Sequence, residues 1–243
     1  MKGKRKRVNL MRKMSNKGFT LIELLAVITI MGILLLVAIP AVTRTIENSR
    51  RDTFADISSE YINAVRNAVL ADNVVCYESN DWRVSSANPD GVYIFPICTS
   101  SSTCGDYSID LADGETTSHL QASEIEQSTK DLMESGGKSP FGSAEMRGYV
   151  RMVKTTDTVA ATGDGDATNK TKVTYTIMLI DSGKHGIDIE KKTTEIKRSA
   201  VKTATDTEAI NEPATTTCKY QTGVNDEGAP VYTETTCHPC RMS

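Results

Sequence analysis

The chain has 243 residues, of which 39% are hydrophobic and only 5% aromatic. With a mean hydropathy of −0.30 it has room for one large or two small domains with a modest core. The net charge of −3 hides an asymmetry: eight of the 28 basic residues precede Gly18, and without them 20 basic face 31 acidic residues, a net of −11. A basic head on an acidic body argues against a nucleic-acid binder, whose basic patch would sit on the folded domain.

Lys2, Lys4, Arg5, Lys6, Arg7, Arg12, Lys13 and Lys17 form that head, with no acid among them. Such a block favours an N-terminus kept in the cytoplasm. From Phe19 to Val42 the only ionisable side chain is Glu23. As a helix this stretch would run about 36 Å, enough to cross a bilayer with some tilt. A secretory signal has a shorter apolar region and a small-residue cleavage site, which Ala38-Ile39-Pro40-Ala41 matches poorly. A plain signal anchor explains the length and leaves Glu23 unexplained.

A carboxylate in hydrocarbon costs roughly 2.5–3.5 kcal/mol on insertion scales and needs a partner. The run holds no lysine or arginine. Cutting the Gly18–Phe19 bond would create a cation, the α-ammonium of Phe19, for Glu23 to meet within one chain or between copies. By this charge pairing Glu23 would be an assembly residue.

Lys17-Gly18-Phe19-Thr20-Leu21-Ile22-Glu23, followed by a continuous apolar run, resembles the signal of type IV prepilins and pseudopilins. The resemblance covers about 25 residues; it rests on the glycine, the phenylalanine and a glutamate at the fifth position after the cut. It implies a leader, residues 1–18, removed after Gly18 by a prepilin peptidase that also methylates Phe19. It further implies an α+β pilin-like fold: a long N-terminal helix, transmembrane then amphipathic, packed on a small antiparallel sheet, with a disulfide-bonded C-terminal region. The partners would be other pilin subunits, the peptidase/methyltransferase, membrane lipid before assembly, and an assembly platform with its ATPase. The protein would begin as a single-pass cytoplasmic-membrane protein with its N-terminus inside and end in an extracellular filament. Gly32 and Pro40 match places where such helices loosen, and a proline inside a helix removes a donor and crowds the preceding turn. The leader is long and unusually basic for the family.

Residues 19–42 are thus expected to be the membrane or filament-core helix and 43–72 its amphipathic continuation, on the order of 80 Å together. Phe54, Ile57, Tyr61, Val65 and Ala68 recur at helical spacing and should face a sheet. Residues 73–243 make the head: a connecting region over 73–147, a β-meander over 148–190, then a polar connection and C-terminal hairpin over 191–243.

Within the head, 72–107 lacks a clear period and has turn clusters at Ser85–Gly91 and Thr99–Gly105. Ser123 to Met133 reads as a short helix opened by Ser123 and Glu126. Gly136-Gly137-Lys138-Ser139-Pro140 stops it. It is no phosphate loop, because Leu132 stands where the first glycine is required. Strands are expected at Gly148–Val153, Lys172–Ile180 and His185–Glu190, with Thr155 to Lys170 a polar loop and a turn at Asp181-Ser182-Gly183. Asp164, Asp166 and Asn169 lack the EF-hand spacing and read as a solvated loop. Thr193 to Thr217 is polar, with a short helix near Thr205–Ile210. Cys218–Thr222 and Val231–Thr235 read as arms of a hairpin.

Six cysteines, Cys76, Cys98, Cys104, Cys218, Cys237 and Cys240, follow the apolar run. An even count there reads as disulfides in an oxidising space, with fifteen possible connectivities. Cys98 and Cys104 are close enough for a local loop, Cys76 needs a distant partner, and Cys218 and Cys237 could close the hairpin. Cys237-His238-Pro239-Cys240 also resembles a redox dithiol or half a zinc site, without the surrounding pattern of either. His119, His185 and His238 are scattered, and no catalytic or dinucleotide motif is present. No enzymatic role, cofactor or metal is expected. The competing reading is a membrane-anchored extracytoplasmic binding domain that never polymerises.

Overall fold

The structure is a computed structural model that describes residues 18–76, 82–83, 90–102, 104–110, 116–133, 137–142, 144–159, 168–204, 206, 210–211, 219–225, 230–234 and 237–243. The leader residues 1–17, Asp164, Asp166, Cys218, the side chains of His119 and Cys237, and most of the helix expected at Thr205–Ile210 lie outside the described residues. The chain divides into two compact units, Met1–Ile46 and Glu47–Ser243. Helix α1, Leu21–Leu70, contributes to both and contains Pro40.

In the first unit the helix is apolar on every side. Its large side chains are exposed, from Leu21 at 85% to Leu36 at 77% and Val42 at 56%. Its hydroxyls turn inward: Thr29 donates to the Ala26 carbonyl at 2.9 Å and Thr43 to the Ile39 carbonyl at 2.9 Å. That satisfies polar groups within the helix, as a surrounding without water requires.

From residue 47 the helix becomes one-sided. Phe54, Ala55, Ser58, Tyr61, Ile62, Val65 and Ala68 are buried, the spacing of a single helical face. Ser58 returns its hydroxyl to the Phe54 carbonyl at 2.8 Å, so a polar residue sits in that face without an unmet group. The helix ends at Leu70 in a turn where Asp72 takes a positive φ of 57° and Asn73 donates to the Ala68 carbonyl at 3.0 Å.

The remaining elements are β1 (Val74–Cys76), β2 (Trp82–Arg83), β3 (Gly91–Cys98), β4 (Tyr107–Asp110), β5 (Thr116–Leu120), α2 (Ala122–Leu132), β6 (Met146–Val159), β7 (Thr168–Asp181), β8 (Gly186–Lys192), β9 (Lys219–Val224), β10 (Pro230–Glu234) and β11 (Cys237–Met242). Seven strands form one sheet in the order β2-β1-β11-β3-β6-β7-β8, while β4–β5 and β9–β10 are separate hairpins. The α+β class stands, and the sheet is mixed rather than purely antiparallel, because β11 runs parallel to β3.

Strand β3 corrects the expectation of an irregular 72–107. It lies between β11 and β6 and is buried on both faces. Tyr93, Phe95 and Ile97 join the core shared with α1, and Val92, Ile94 and Cys98 join a second core with Tyr107, Leu120 and Ile125. A strand covered on both faces reads as a continuous apolar run, so the alternation that marks a strand was absent. The β6–β7 hairpin is longer than the sequence predicts: Thr155–Val159 pairs with Thr168–Lys172, so much of the expected loop is ladder. Gly148 is required there, since a Cβ would stand 2.0 Å from the Met178 carbonyl oxygen. Gly186 bends β8 at φ +143°, with room for a Cβ closed by the Leu179 carbonyl at 2.3 Å.

Helix α2 begins one residue early. Its capping acid is Glu124, which accepts the Gln121 N–H at 3.0 Å. Glu126, expected in that role, instead accepts from the Ser101 N–H at 2.9 Å and from Lys130 at 2.8 Å. The Thr129 hydroxyl accepts from the Cys98 N–H at 2.9 Å and the Ser128 hydroxyl from the Met242 N–H at 2.9 Å, tying α2 to β3 and β11. Two short 3-10 turns, Thr193–Glu195 and Arg198–Ala200, fall in the polar connection. From there Arg198 pairs with Asp52 through its Nε at 2.8 Å, and the Val201 carbonyl accepts from Arg51 at 3.1 Å. The guanidinium beside Asp52 lowers that carboxyl from its usual range.

Cys76 is bonded to Cys240, directly opposite it in the β1–β11 ladder, across a separation of 164 residues. Cys98 is bonded to Cys104. With its sulfur committed to Cys76, Cys240 forms neither a dithiol nor a zinc ligand pair with Cys237.

Candidate functional site

The start of α1 is where chemistry and exposure meet. Gly18, Phe19 and Thr20 precede the helix in exposed backbone outside any helix or strand, and Phe19 is 91% exposed. A peptide bond can enter a hydrolytic site only from such a segment, because a helical one would have to unwind first. Among the described residues no atom lies within 4 Å of the place a Gly18 Cβ would occupy, so their packing does not call for glycine there.

Glu23 stands three residues beyond Thr20. The Thr20 N–H donates to Glu23 Oε2 at 2.8 Å, the Thr20 hydroxyl donates to the same oxygen at 2.9 Å, and the Glu23 N–H returns to Thr20 Oγ1 at 3.3 Å. This is a reciprocal capping box, with threonine as N-cap and glutamate three residues in. It satisfies helix-end N–H groups that have no intrahelical acceptor and places a negative charge at the positive end of the helix dipole. The carboxylate read from sequence as a charge awaiting a partner therefore has a local one. Thr20 is the residue that reading missed, although Thr-x-x-Glu before an apolar run is a legible signal.

The helix that carries Glu23 is long and apolar enough to cross a membrane. Gly32 and Pro40 both lie inside the helix. Proline supplies no N–H to the Leu36 carbonyl one turn earlier, while the Thr43 hydroxyl supports the neighbouring Ile39 carbonyl.

A second cluster, Ser139, Asp181 and His185, holds the residue types of a nucleophilic triad in the wrong order. The Ser139 hydroxyl donates to Asp181 Oδ2 at 2.5 Å, and His185 Nδ1 meets Asp181 Oδ1 at 3.0 Å. The serine thus faces the acid, and among the described residues no imidazole accepts from its hydroxyl. Phe141 stacks on His185 with ring centroids 4.3 Å apart. The Asp181 side chain is fully buried and also accepts the His185 N–H at 2.8 Å. The cluster fastens the turn at 139–142 to the β7–β8 turn. His238 is likewise packed, tilted against Tyr93 at 5.2 Å. Among the described residues no three His, Cys, Asp or Glu side chains are grouped to hold a metal ion.

Residues 13–39 match the family model described as the prokaryotic N-terminal methylation motif. No curated protein and no solved structure matches the chain significantly. The match begins within the basic head and spans Gly18, Phe19, Thr20 and Glu23, the residues whose exposure and hydrogen bonding set this segment apart. The motif, the apolar helix and the α+β head with its disulfides support a type IV pilin-like or pseudopilin protein.

Proposed function

We propose that the protein is a structural subunit of a type IV pilus or a related filament, made as a precursor and assembled through its N-terminal helix. Residues 1–18 act as a cytoplasmic leader. Water, directed by a prepilin peptidase, cleaves the Gly18–Phe19 bond, and the freed amine of Phe19 is then methylated. Residues 19–42 first cross the cytoplasmic membrane and later leave lipid to pack against the same segment of other subunits. Residues 43–72 continue the helix into the head, and residues 73–243 form the surface that a filament would display. A membrane assembly platform and its cytoplasmic ATPase drive the transfer, and the filament serves adhesion, motility, secretion or DNA uptake.

The observation that carries this reading is the all-round exposure of the apolar segment 19–42, whose single acid, Glu23, lies in the first turn of the helix. Such a surface is stable only against lipid or against other apolar helices. The acid caps its own helix end, and in a filament it would also lie near the amine of a neighbouring copy. The exposed, non-helical Gly18–Phe19 bond supports a cut at that point.

Intact mass and N-terminal sequencing of the protein from its native cells test this directly. A chain beginning at N-methylated Phe19 and recovered in filaments is expected. A chain that keeps Lys17 and stays monomeric in the membrane would instead mark an anchored binding domain, and one cut near Ala41 would mark a secretory signal; either overturns the filament reading.

A further inference from the structure

We propose that the polar connection after β8 is an ionic latch on α1: it grips Arg51 and Asp52, and its release frees Glu47–Thr53 while the core stays folded. The latch lies within the unit Glu47–Ser243 and does not depend on the filament reading.

Two kinds of hold meet along this part of the helix. From Phe54 onward α1 is fastened by burial, whereas none of residues 47–53 is buried. Among the described residues, that stretch is tied to the connection through charged side chains. Arg198 grips Asp52 with two guanidinium nitrogens, Nε at 2.8 Å from Oδ1 and Nη2 against Oδ2. Arg51 donates to the Val201 carbonyl at 3.1 Å, to the Thr203 hydroxyl at 3.0 Å and to Asp206 at 3.3 Å. The Arg198 and Asp52 side chains are about half exposed, so their grip is made in solvent.

The connection is anchored on its other side. Val201 is buried in the core, and Lys202 exchanges both backbone hydrogen bonds with Gly186 of β8. The Lys202 ammonium also reaches the buried Asp188 carboxylate at 3.1 Å. Opening therefore parts α1 from the connection and leaves the connection on the sheet. Two of the gripping groups keep a partner when that happens. Arg51 also donates to Glu47 at 3.0 Å, one turn earlier in its own helix, and Asp206 accepts the Thr203 N–H at 2.6 Å. Release thus strands neither of these charges, and exposed ion pairs are individually weak and screened by salt.

The helix is softened where the grip ends. The Thr53 hydroxyl donates to the Ser49 carbonyl at 2.9 Å, and the Ser58 hydroxyl to the Phe54 carbonyl at 2.8 Å. Hydroxyls bonded one turn back compete with the helix ladder and favour bending. Such a joint has two positions, gripped and free.

The test uses the full chain in detergent micelles, with nitroxide labels placed at Ser49 and Ser182 without cysteine chemistry. Both positions are exposed, and pulsed spin resonance reads the distance between them. At about 50 mM salt the wild type is expected to give one narrow distance; at 1 M, where the Debye length is about 3 Å, a second population should grow. Arg198→Asp sets like charges together and should raise that second population about fivefold at low salt, the effect of losing one of the better exposed pairs. Asp52→Arg should do the same, and the two substitutions combined should restore the single narrow distance. Near-UV circular dichroism should stay that of the wild type throughout. The proposal is overturned if the wild-type distance ignores salt, if the combined variant behaves like either single one, or if Arg198→Asp abolishes the near-UV signal. The last result would make the connection part of the core.

Discussion

Two stretches of α1 contain the same residue types and treat them in opposite ways. Ile28, Ile30 and Ile33 are between 55% and 66% exposed, while Ile62, Val65 and Phe54 are fully buried. Helix propensity does not distinguish them, and neither does hydrophobicity. What differs is the rest of the turn. Around Ile62 stand Glu60, Asn63 and Arg66, so the helix has a wet side and commits its apolar side to a sheet. Around Ile30 every position is apolar or small, so no side is left for water, and the helix needs a surrounding rather than a partner on one face. A helix of one sequence can thus be built for two solvents, and the change is written in its polar residues.

The sharpest way to break the comparison is to disturb the buried part. Gly148→Val puts side-chain atoms where the Met178 carbonyl oxygen already lies, a Cβ separation of 2.0 Å. The β6–β7 ladder cannot absorb this without shifting register, and a one-residue slip would turn every core residue of β6 to the other face. The expected loss exceeds about 4 kcal/mol, so the head should lack a near-UV circular dichroism signal. A cooperative melt at the wild-type temperature would show that β6 and β7 are not paired as described.

The disulfides sharpen it next, because the two enclose very different lengths of chain. Cys76→Ala with Cys240→Ala opens a span of 164 residues, and chain entropy assigns this about 5 kcal/mol. Cys98→Ala with Cys104→Ala opens a span of six, for which the same account gives about 2 kcal/mol. Denaturant titration of the full chain in detergent should therefore rank the first pair well below the second. Equal losses would mean that local packing, and not the closing of β11 between β1 and β3, sets the value of these bonds.

The exposed part should answer in the reverse sense. Ile30→Asp is expected to cost about 3 kcal/mol of membrane insertion and to leave the melting of the head unchanged. Alkaline extraction of membranes reads the first quantity and calorimetry the second. A fall in the melting temperature of the head would show that the two units are not energetically separate.

The sequence made the apolar helix of the first unit legible and the fold of the second only partly so. Gly18, Phe19 and Glu23 stood out because one acid in an apolar run is conspicuous, and Thr20 was passed over because a hydroxyl is not. The strand at Lys172–Ile180 was legible from β-branched residues, although its pairing beyond Lys172 was not, since threonine and lysine suit a loop and a solvated ladder equally. Strand β3 escaped because Val92 and Tyr93 pack on opposite faces, which removes the polar half of the pattern, and Pro96 added a false stop. The Cys98–Cys104 loop was suggested by spacing. The pairing of Cys76 with Cys240 depends on β11 returning to the first strand of the head, a long-range fact that no local period records.

The smallest expected effect concerns charge. Glu126 accepts from Lys130 at 2.8 Å and from Ser101, and these bonds lower its carboxyl from 4.5 to about 2. A group lowered by folding contributes stability that is fully present above its unfolded value and is lost as pH falls through the folded one. The contribution should therefore be complete at pH 6, shrink below about pH 4.5 and vanish near pH 2. Glu126→Gln is expected to lower the melting temperature slightly at pH 6 and not at all at pH 2. The carboxylate is open to solvent, so raising the salt to 0.5 M should shrink the gap through screening of the Lys130 charge, as about 4 Å of Debye length implies. The Ser101 bond, a neutral donor, should resist the salt. A gap that stays constant from pH 6 to pH 2 would show that Glu126 acts through packing rather than charge.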